Sequence, residues 1–186
     1  MTEGLHLALW LRHRAHRRGD RLDHLKLQKL VFYSYGAACA RGIAPGTIPF
    51  QAWKHGPVNV DVWEAHRKYG ADPIPEPVET FSGYPADLVG VLDDVLDVYG
   101  RLSSWQIRCE SHTEKPWRDA YALGARTEIS DTELRGHFAR KFADGQVRAP
   151  VYLGGSVNAA VDGIPVATFP SLHAVAEALR RRRPKT

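Results

Sequence analysis

The chain has 186 residues, 44% of them hydrophobic, and a formal charge of +4 at pH 7. This length and hydrophobic content suit one packed core, and the chain is too short for two. No run approaches the roughly 18 apolar residues of a membrane span, and no signal-peptide core is visible, so we expect a cytoplasmic protein without membrane association. Cys39 and Cys109 lack metal-like spacing and fall in predicted helices, which favours two buried free thiols over a disulfide framework.

Two helices are predicted at the start of the chain, because apolar residues recur there at helical spacing. The first ends at Gly19 and the second near Gly42. Their apolar or small faces are formed by Leu5, Ala8, Leu9 and Trp10 in the first helix and by Leu27, Leu30, Val31, Ser34 and Ala38 in the second. We expect the two helices to pack as a pair.

A rigid bend is predicted after this helical pair. Alternating apolar residues indicate a short extended segment that leads to Trp53; they are Ile48, Phe50 and Ala52. Gly56 permits positive backbone angles and Pro57 fixes its own, so the bend should present Lys54 and His55 at its tip. One interpretation is that the bend only turns the chain; the other is that it contributes to a binding groove.

More helices are predicted beyond the bend. Asn59 is a suitable N-cap for a helix that ends at Gly70, and the prolines of residues 71–86 indicate an irregular connection. The next segment has the clearest helical stripe of the chain, which we assign to the core: Leu88, Val91, Leu92, Val95, Val98, Tyr99 and Leu102. Capping patterns predict helix starts near Ser104 and Asp131, and Pro116 suits the first turn of a short helix toward Gly124.

After Gly145 the pattern changes to short β-prone runs at residues 151–153, 157–161 and 164–168, with an Asp-Gly hairpin signal between the last two. A basic helix capped by Ser171 follows. The sequence therefore predicts a mainly α domain with short β elements at residues 1–145 and a β-hairpin plus helix appendage at residues 146–186.

Charge and catalytic motifs set further limits. Basic residues form two clusters, one near the first helix and one at the end of the chain: Arg12, Arg14, Arg17, Arg18 and Arg21, then Arg180, Arg181, Arg182, Arg183 and Lys185. Such clusters indicate either a solvated surface or an electrostatic contact with nucleic acid or an acidic protein. Phosphate-binding loops, zinc-binding pairs and nucleophile turns are not found. We therefore expect no catalytic residue, no metal ligand and no cofactor.

Three segments carry a resemblance to a known family: Leu25-Lys26-Leu27-Gln28-Lys29-Leu30, Ala52-Trp53-Lys54-His55-Gly56-Pro57-Val58 and His112-Thr113-Glu114-Lys115-Pro116-Trp117. In this order they resemble the Panacea (SocA-like) antitoxin family over roughly residues 5–142. The resemblance implies a compact helical Panacea-like domain and a type II antitoxin that binds a co-encoded toxin. Toxins paired with such domains include toxic small alarmone synthetase-like enzymes, so it does not specify the toxin.

Two other functions stay open beside the antitoxin hypothesis: a nucleic-acid-binding autoregulator and a proteolytic adaptor. The predicted partner-binding residues are Lys26, Lys29, Trp53, Lys54, His55, Trp117, Arg180, Arg181, Arg182 and Arg183. Lys26, Gln28 and Lys29 could instead form a solvent-facing helix side or bond the bend internally. Trp117 is either a core anchor at a helix start or an interface residue.

Overall fold

The computed structural model describes residues 1–78 and 83–147, which form seven α-helices and a three-stranded sheet. The elements are α1 (Glu3–Arg17), α2 (His24–Ala40), β1 (Phe50–Trp53), β2 (Gly56–Val58), α3 (Val60–His66), α4 (Ala86–Tyr99), α5 (Ser104–Thr113), α6 (Lys115–Leu123), β3 (Thr127–Ile129) and α7 (Asp131–Lys141). The mainly α prediction is confirmed. The predicted strands and basic helix of residues 146–186 fall, apart from residues 146 and 147, outside the described residues, so the division at residue 145 stays a prediction.

Helix α2 lies at the centre of the helical unit. Thirteen of its seventeen residues are buried, and α1, α4, α5 and α7 all pack on it. A helix that is buried on all sides needs residues around its whole circumference that are apolar, small, or polar with a bonded partner, and not a single apolar stripe. The predicted pairing of α1 with α2 is confirmed, although α2 buries more than the single face that periodicity indicated.

A close approach between α2 and α7 depends on Gly36. A Cβ atom at this position would lie 2.3 Å from Cδ2 of Phe138, well inside van der Waals contact. The Phe138 ring packs edge-on against Phe32, with ring centroids 5.3 Å apart, and Phe32 makes the same kind of contact with Phe50 of β1. Aromatic packing therefore joins α7, α2 and the sheet in one core.

The sheet is antiparallel and has the strand order β2-β1-β3. Gln51 pairs with Val58 in the hairpin, and Phe50 pairs with Ile129 on the other side of β1. The predicted extended segment and its two-residue tip are confirmed, but Gly56-Pro57-Val58 is strand β2 and not part of the bend. Strand β3 was not predicted, because three residues give too short a pattern.

The predicted helix boundaries agree with the structure. Asn59 Oδ1 accepts from the Val62 N–H at 3.0 Å and caps α3, and a 3₁₀ turn at Arg67–Tyr69 continues this helix to Gly70. Ser103 and Gln106 form the reciprocal capping box of α5.

The predicted stripe on α4 is buried at its centre and partly buried at its end. Both cysteines are half-buried free thiols. Among the described helices, none is long and apolar enough to cross a membrane.

Candidate partner-binding site

Three polar side chains of α2 are buried. Lys26, Gln28 and Lys29 are 9%, 2% and 0% exposed, so the hypothesis that they form a solvent-facing helix side is wrong. Lys26 Nζ donates to the Gly100 carbonyl oxygen at 2.6 Å, at the end of α4. Gln28 and Lys29 bond the hairpin segment, which confirms for these two the alternative that they act internally.

Gln28 fixes the residue that connects β2 to α3. Its Nε2 donates to the Asn59 carbonyl oxygen at 3.2 Å, and its Oε1 accepts from the Asn59 N–H at 3.0 Å. Asn59 Nδ2 in turn donates to the Pro49 carbonyl oxygen at 2.9 Å. A paired amide of this kind satisfies backbone groups that burial would otherwise leave unpaired. Gln28 therefore holds both ends of the hairpin in register with α2.

Lys29 supports the hairpin from inside. Its Nζ donates to the Pro57 carbonyl oxygen at 2.8 Å. Gly56 has a φ of +98°, and a Cβ atom there would lie 2.5 Å from Ser111 Oγ and 2.8 Å from Lys29 Cε. Desolvation by burial, with a smaller contribution from the Arg108 charge, lowers the pKa of Lys29 well below its ordinary value. Lys29 thus locks β2 between α2 and α5.

Trp117 anchors the start of α6 beneath the hairpin. It is 2% exposed, its Nε1 donates to the Trp53 carbonyl oxygen at 3.1 Å, and the His112 ring stacks on it with centroids 4.0 Å apart. The core-anchor interpretation of Trp117 is confirmed by this burial. Desolvation, followed by the charges of Arg108 and Lys29, lowers the pKa of His112 to about 3, so this ring is neutral at pH 7.

Glu114 is a buried carboxylate that joins three helices. It is 2% exposed and accepts hydrogen bonds from Tyr33 Oη at 3.0 Å, from His137 Nε2 at 2.6 Å and from Lys141 Nζ. Burial acts to raise the pKa of Glu114, but the hydrogen bond from His137 and the charge of Lys141 outweigh it and lower that pKa. These groups satisfy one another, so their evident role is to hold α6 against α2 and α7.

The hairpin tip is exposed and positively charged. Lys54 and His55 are both exposed, and Arg108 Nε donates to His55 Nδ1 at 3.3 Å. The Arg108 guanidinium also lies 4.4 Å from the ring centroid of Trp105, which is 40% exposed. Desolvation and then the cationic groups Arg108, Lys29 and Lys54 lower the pKa of His55. The positive charge of the tip is therefore carried by Lys54 and Arg108, and it suits the tip to meet an anionic group.

A surface groove of about 540 Å³ lies beside β1. We call it the tryptophan groove; its lining residues are Gln51, Trp53, Val60, Trp63, Glu64, Arg67 and Arg126. The Trp53 and Trp63 rings have centroids 5.2 Å apart and are tilted by 52°. Arg126 covers Trp53 at 4.6 Å, and Arg67 covers Trp63 at 5.1 Å. A volume in this range accommodates one or more side chains of a ligand.

The structure brings some predicted binding residues together and separates others. Five of them lie in the hairpin or against it: Lys29, Trp53, Lys54, His55 and Trp117. The side chain of Lys26 instead reaches from α2 to the end of α4. The predicted contacts at Arg180, Arg181, Arg182 and Arg183 lie outside the described residues. Burial leaves Lys29 and Trp117 no free face for a partner, while the role of the exposed residues at an interface stays a prediction.

The sequence did not indicate Trp63 or Arg126 as site residues. Val62 and His66 of α3 are buried, whereas Trp63 beside them is partly exposed and lines the groove. Arg126 comes beside Trp53 because its N–H donates to the Ala52 carbonyl oxygen at 2.7 Å, next to the pairing of β3 with β1. That pairing joins residues far apart in sequence, so no local pattern pointed to it.

The basic cluster of α1 makes internal contacts. Arg14 Nε donates to Asp93 Oδ1 at 2.7 Å, and Arg18 bonds both Asp93 and Asp97 at 2.8 Å. Arg12 donates to the Pro75 carbonyl oxygen at 3.2 Å. The hydrogen bond that Arg14 donates to Asp93 raises the pKa of Arg14. Much of this cluster thus holds α1 to α4, which weakens the case for a nucleic-acid surface there.

Comparison with known proteins identifies a family domain. Residues 27–118 match the family model described as antitoxin SocA-like, Panacea domain. The matched segment begins within α2 and ends within α6, and so contains the hairpin, the second and third motifs and the first motif from Leu27 onward. The resemblance inferred from the sequence is confirmed. No curated protein and no solved structure matches the chain.

Proposed function

Because residues 27–118 match the model of the antitoxin SocA-like Panacea domain, we propose that the chain neutralises a co-encoded toxin by direct protein-protein binding. This domain match supports an antitoxin role and implies a toxin as the partner. The type II mechanism is the finer step that we propose here. The family match is the observation that carries it.

The internal bonds of the hairpin support a binding role. Gln28, Lys29 and Trp117 each donate to a main-chain carbonyl within or beside it, so its conformation is set before any partner arrives. A surface that is already ordered loses little conformational entropy on association. The hairpin tip and the tryptophan groove are therefore the described surfaces best prepared for a protein partner.

The placement of the ionisable groups also supports binding over catalysis. Lys29 and Tyr33 are fully buried and Glu114 nearly so, and the pKa of each is shifted by burial and by neighbours within the fold. A catalytic acid or base must reach a substrate, and these three are enclosed by hydrogen bonds to the protein. We accordingly propose a non-enzymatic protein.

In the proposed mechanism the antitoxin covers the active site of the toxin. Residues 146–186, with their basic end at Arg180–Arg183, are proposed as a second contact that contributes to the choice of toxin. Some antitoxins also deliver the toxin to a protease or bind their own operator DNA. Delivery to a protease starts from the same binding event, and DNA binding is added to it. The ion pairs of Arg14 and Arg18 with Asp93 and Asp97 leave the DNA-binding role with less support.

The test is co-expression of the full chain with each adjacent reading frame under separate promoters. We expect one frame to stop growth alone, and growth to resume when the full chain is induced. The two proteins should then co-purify at a fixed stoichiometry. A chain that restores growth without forming a complex, or one that binds none of the proteins encoded beside it, would rule out neutralisation by direct binding.

The contribution of residues 146–186 needs a separate experiment. A variant that ends at residue 145 is compared with the full chain for growth rescue, with its abundance and circular dichroism spectrum as controls for folding. We expect rescue to be lost from a truncated protein that is still folded. Full rescue by that truncated protein would assign toxin binding to the helical domain alone.

A further inference from the structure

Trp53 and Trp63 form a preorganised notch in the tryptophan groove. The Gln51 Oε1 atom accepts from Trp53 Nε1 at 2.9 Å, so the indole N–H is satisfied and the ring orientation is fixed. Both rings are partly exposed. Their centroids are 5.2 Å apart and the rings are tilted by 52°, so they contact each other and together form one wall of the groove. Tryptophan and arginine are the residue types that contribute most to protein-protein binding energy. Two of each line this groove.

Arg126 occupies a backbone position that does not suit its side chain. Its φ is +68°, and it is the single residue other than glycine with a positive φ among residues 1–78 and 83–147. Glycine adopts this conformation without steric cost, whereas an arginine is strained there. Residues held in such conformations cluster at ligand-binding and other functional sites. The exposed guanidinium of Arg126 lies over Trp53, at the edge of the notch.

The charges of the groove favour an acidic ligand. Glu64 pairs with Arg67 at 2.9 Å, so these two charges offset each other. No carboxylate pairs with Arg126 in the part of the chain that the structure describes. Its guanidinium has five N–H donors, and carboxylates match the geometry of that group. A carboxylate on a ligand would complete this site.

The ring geometry distinguishes a peptide from a nucleic acid. Bases bind aromatic platforms by parallel stacking on an open face. Here the two rings are far from parallel, and Arg126 already covers one face of Trp53. An apolar side chain of a protein segment packs instead against the exposed surfaces of both rings, since aromatic side chains also form tilted and edge-on contacts. The groove is therefore better suited to a protein segment than to a single strand.

We propose that the tryptophan groove binds an acidic segment of the toxin, with an apolar side chain packed against the exposed surfaces of Trp53 and Trp63 and a neighbouring carboxylate on Arg126. This rests on the proposed function, since the segment belongs to the toxin. It adds the place of contact and the chemistry of the toxin surface that fits it. Val60, which is 36% exposed in the same groove, then lies at the interface.

The first test substitutes arginines in the full chain and measures toxin binding by biolayer interferometry. Arg126→Gly removes the guanidinium and relieves the backbone strain, so the variant should fold at least as well as the natural chain and bind the toxin about tenfold or more weakly. Arg126→Lys keeps the charge without the planar fork and should lie between the two. Arg101→Gly, at another exposed arginine in a turn, should bind as the natural chain does.

The second test locates the ligand. A photo-crosslinking amino acid at position 60 should capture the toxin through an acidic peptide, whereas the same amino acid at Val78, which is 93% exposed and does not line the groove, should not. Equal toxin binding by the natural chain and Arg126→Gly would overturn the groove proposal and leave the antitoxin proposal intact. Failure of the natural chain to bind any co-encoded protein would end both. Saturable binding of oligothymidine, lost in Arg126→Gly, would assign the groove to nucleic acid instead.

Discussion

Replacing Gly56 with alanine introduces a methyl group at the point where β2, Lys29 and Ser111 meet. The new Cβ would lie 2.5 Å from Ser111 Oγ, 2.8 Å from Lys29 Cε and 3.0 Å from Lys29 Nζ, at a φ of +98°. Non-glycine residues pay about 1–2 kcal/mol for a left-handed backbone, and overpacking of a core adds about 1–3 kcal/mol. We therefore expect Gly56→Ala to lower the free energy of unfolding by about 2–5 kcal/mol.

The matched control is Gly42→Ala. Gly42 also has a positive φ, +69°, but a Cβ atom there would meet nothing within 4 Å. This variant therefore pays the backbone cost of about 1–2 kcal/mol alone. Both variants are unfolded with urea and followed by circular dichroism, which gives the free energy of unfolding from midpoint and slope. Equal losses in the two variants would refute the conclusion that the hairpin is locked by close packing at Gly56.

Three further predictions concern separate parts of the protein. Gln28→Leu leaves the buried N–H of Asn59 without its partner and should cost about 1–3 kcal/mol in urea unfolding, whereas an unchanged midpoint would contradict the conclusion that Gln28 holds the hairpin against α2. Burial lowers the pKa of His112 to about 3 from an ordinary 6.5, so only the unfolded chain binds a proton there as pH falls below 6.5, and this residue should cost about 2 kcal/mol of stability at pH 5. His112→Phe should therefore lose less free energy of unfolding between pH 7 and pH 5 than the natural chain does. An identical pH profile for the two proteins would refute this cause. Changing Arg180–Arg183 to Glu should slow association with the toxin at low salt more than at high salt, and unchanged association rates at low salt would exclude an electrostatic contact there.

The local pattern of the sequence was sufficient for most helices and for their ends. Ser103 with Gln106 defined the start of α5, and the spacing of apolar residues defined α4. These features depend on residues within one or two turns of each other, so a single sequence contains the information. The order of the three motifs likewise indicated the Panacea domain that the family model identifies.

Tertiary structure decided which polar residues are inside. Lysine is a residue type usually found at the surface, yet Lys29 is buried and its Nζ donates to the carbonyl oxygen of Pro57, 28 positions away. Glu114 meets Tyr33 across 81 positions. No local sequence pattern predicts either contact, because the partner of each buried polar group lies on another secondary-structure element. The sequence alone could not distinguish an exposed lysine from one that supports a hairpin.

Its own sequence determined where this protein forms helices, where they begin and end, and which family its central segment belongs to. Only the packed structure decided that Trp53 and Trp63 share a groove and that Arg126 lies across one of them. Helix formation depends on neighbours along the chain. The groove depends on the antiparallel pairing of β3 with β1, which brings residue 126 to residue 53 and which no short pattern encodes.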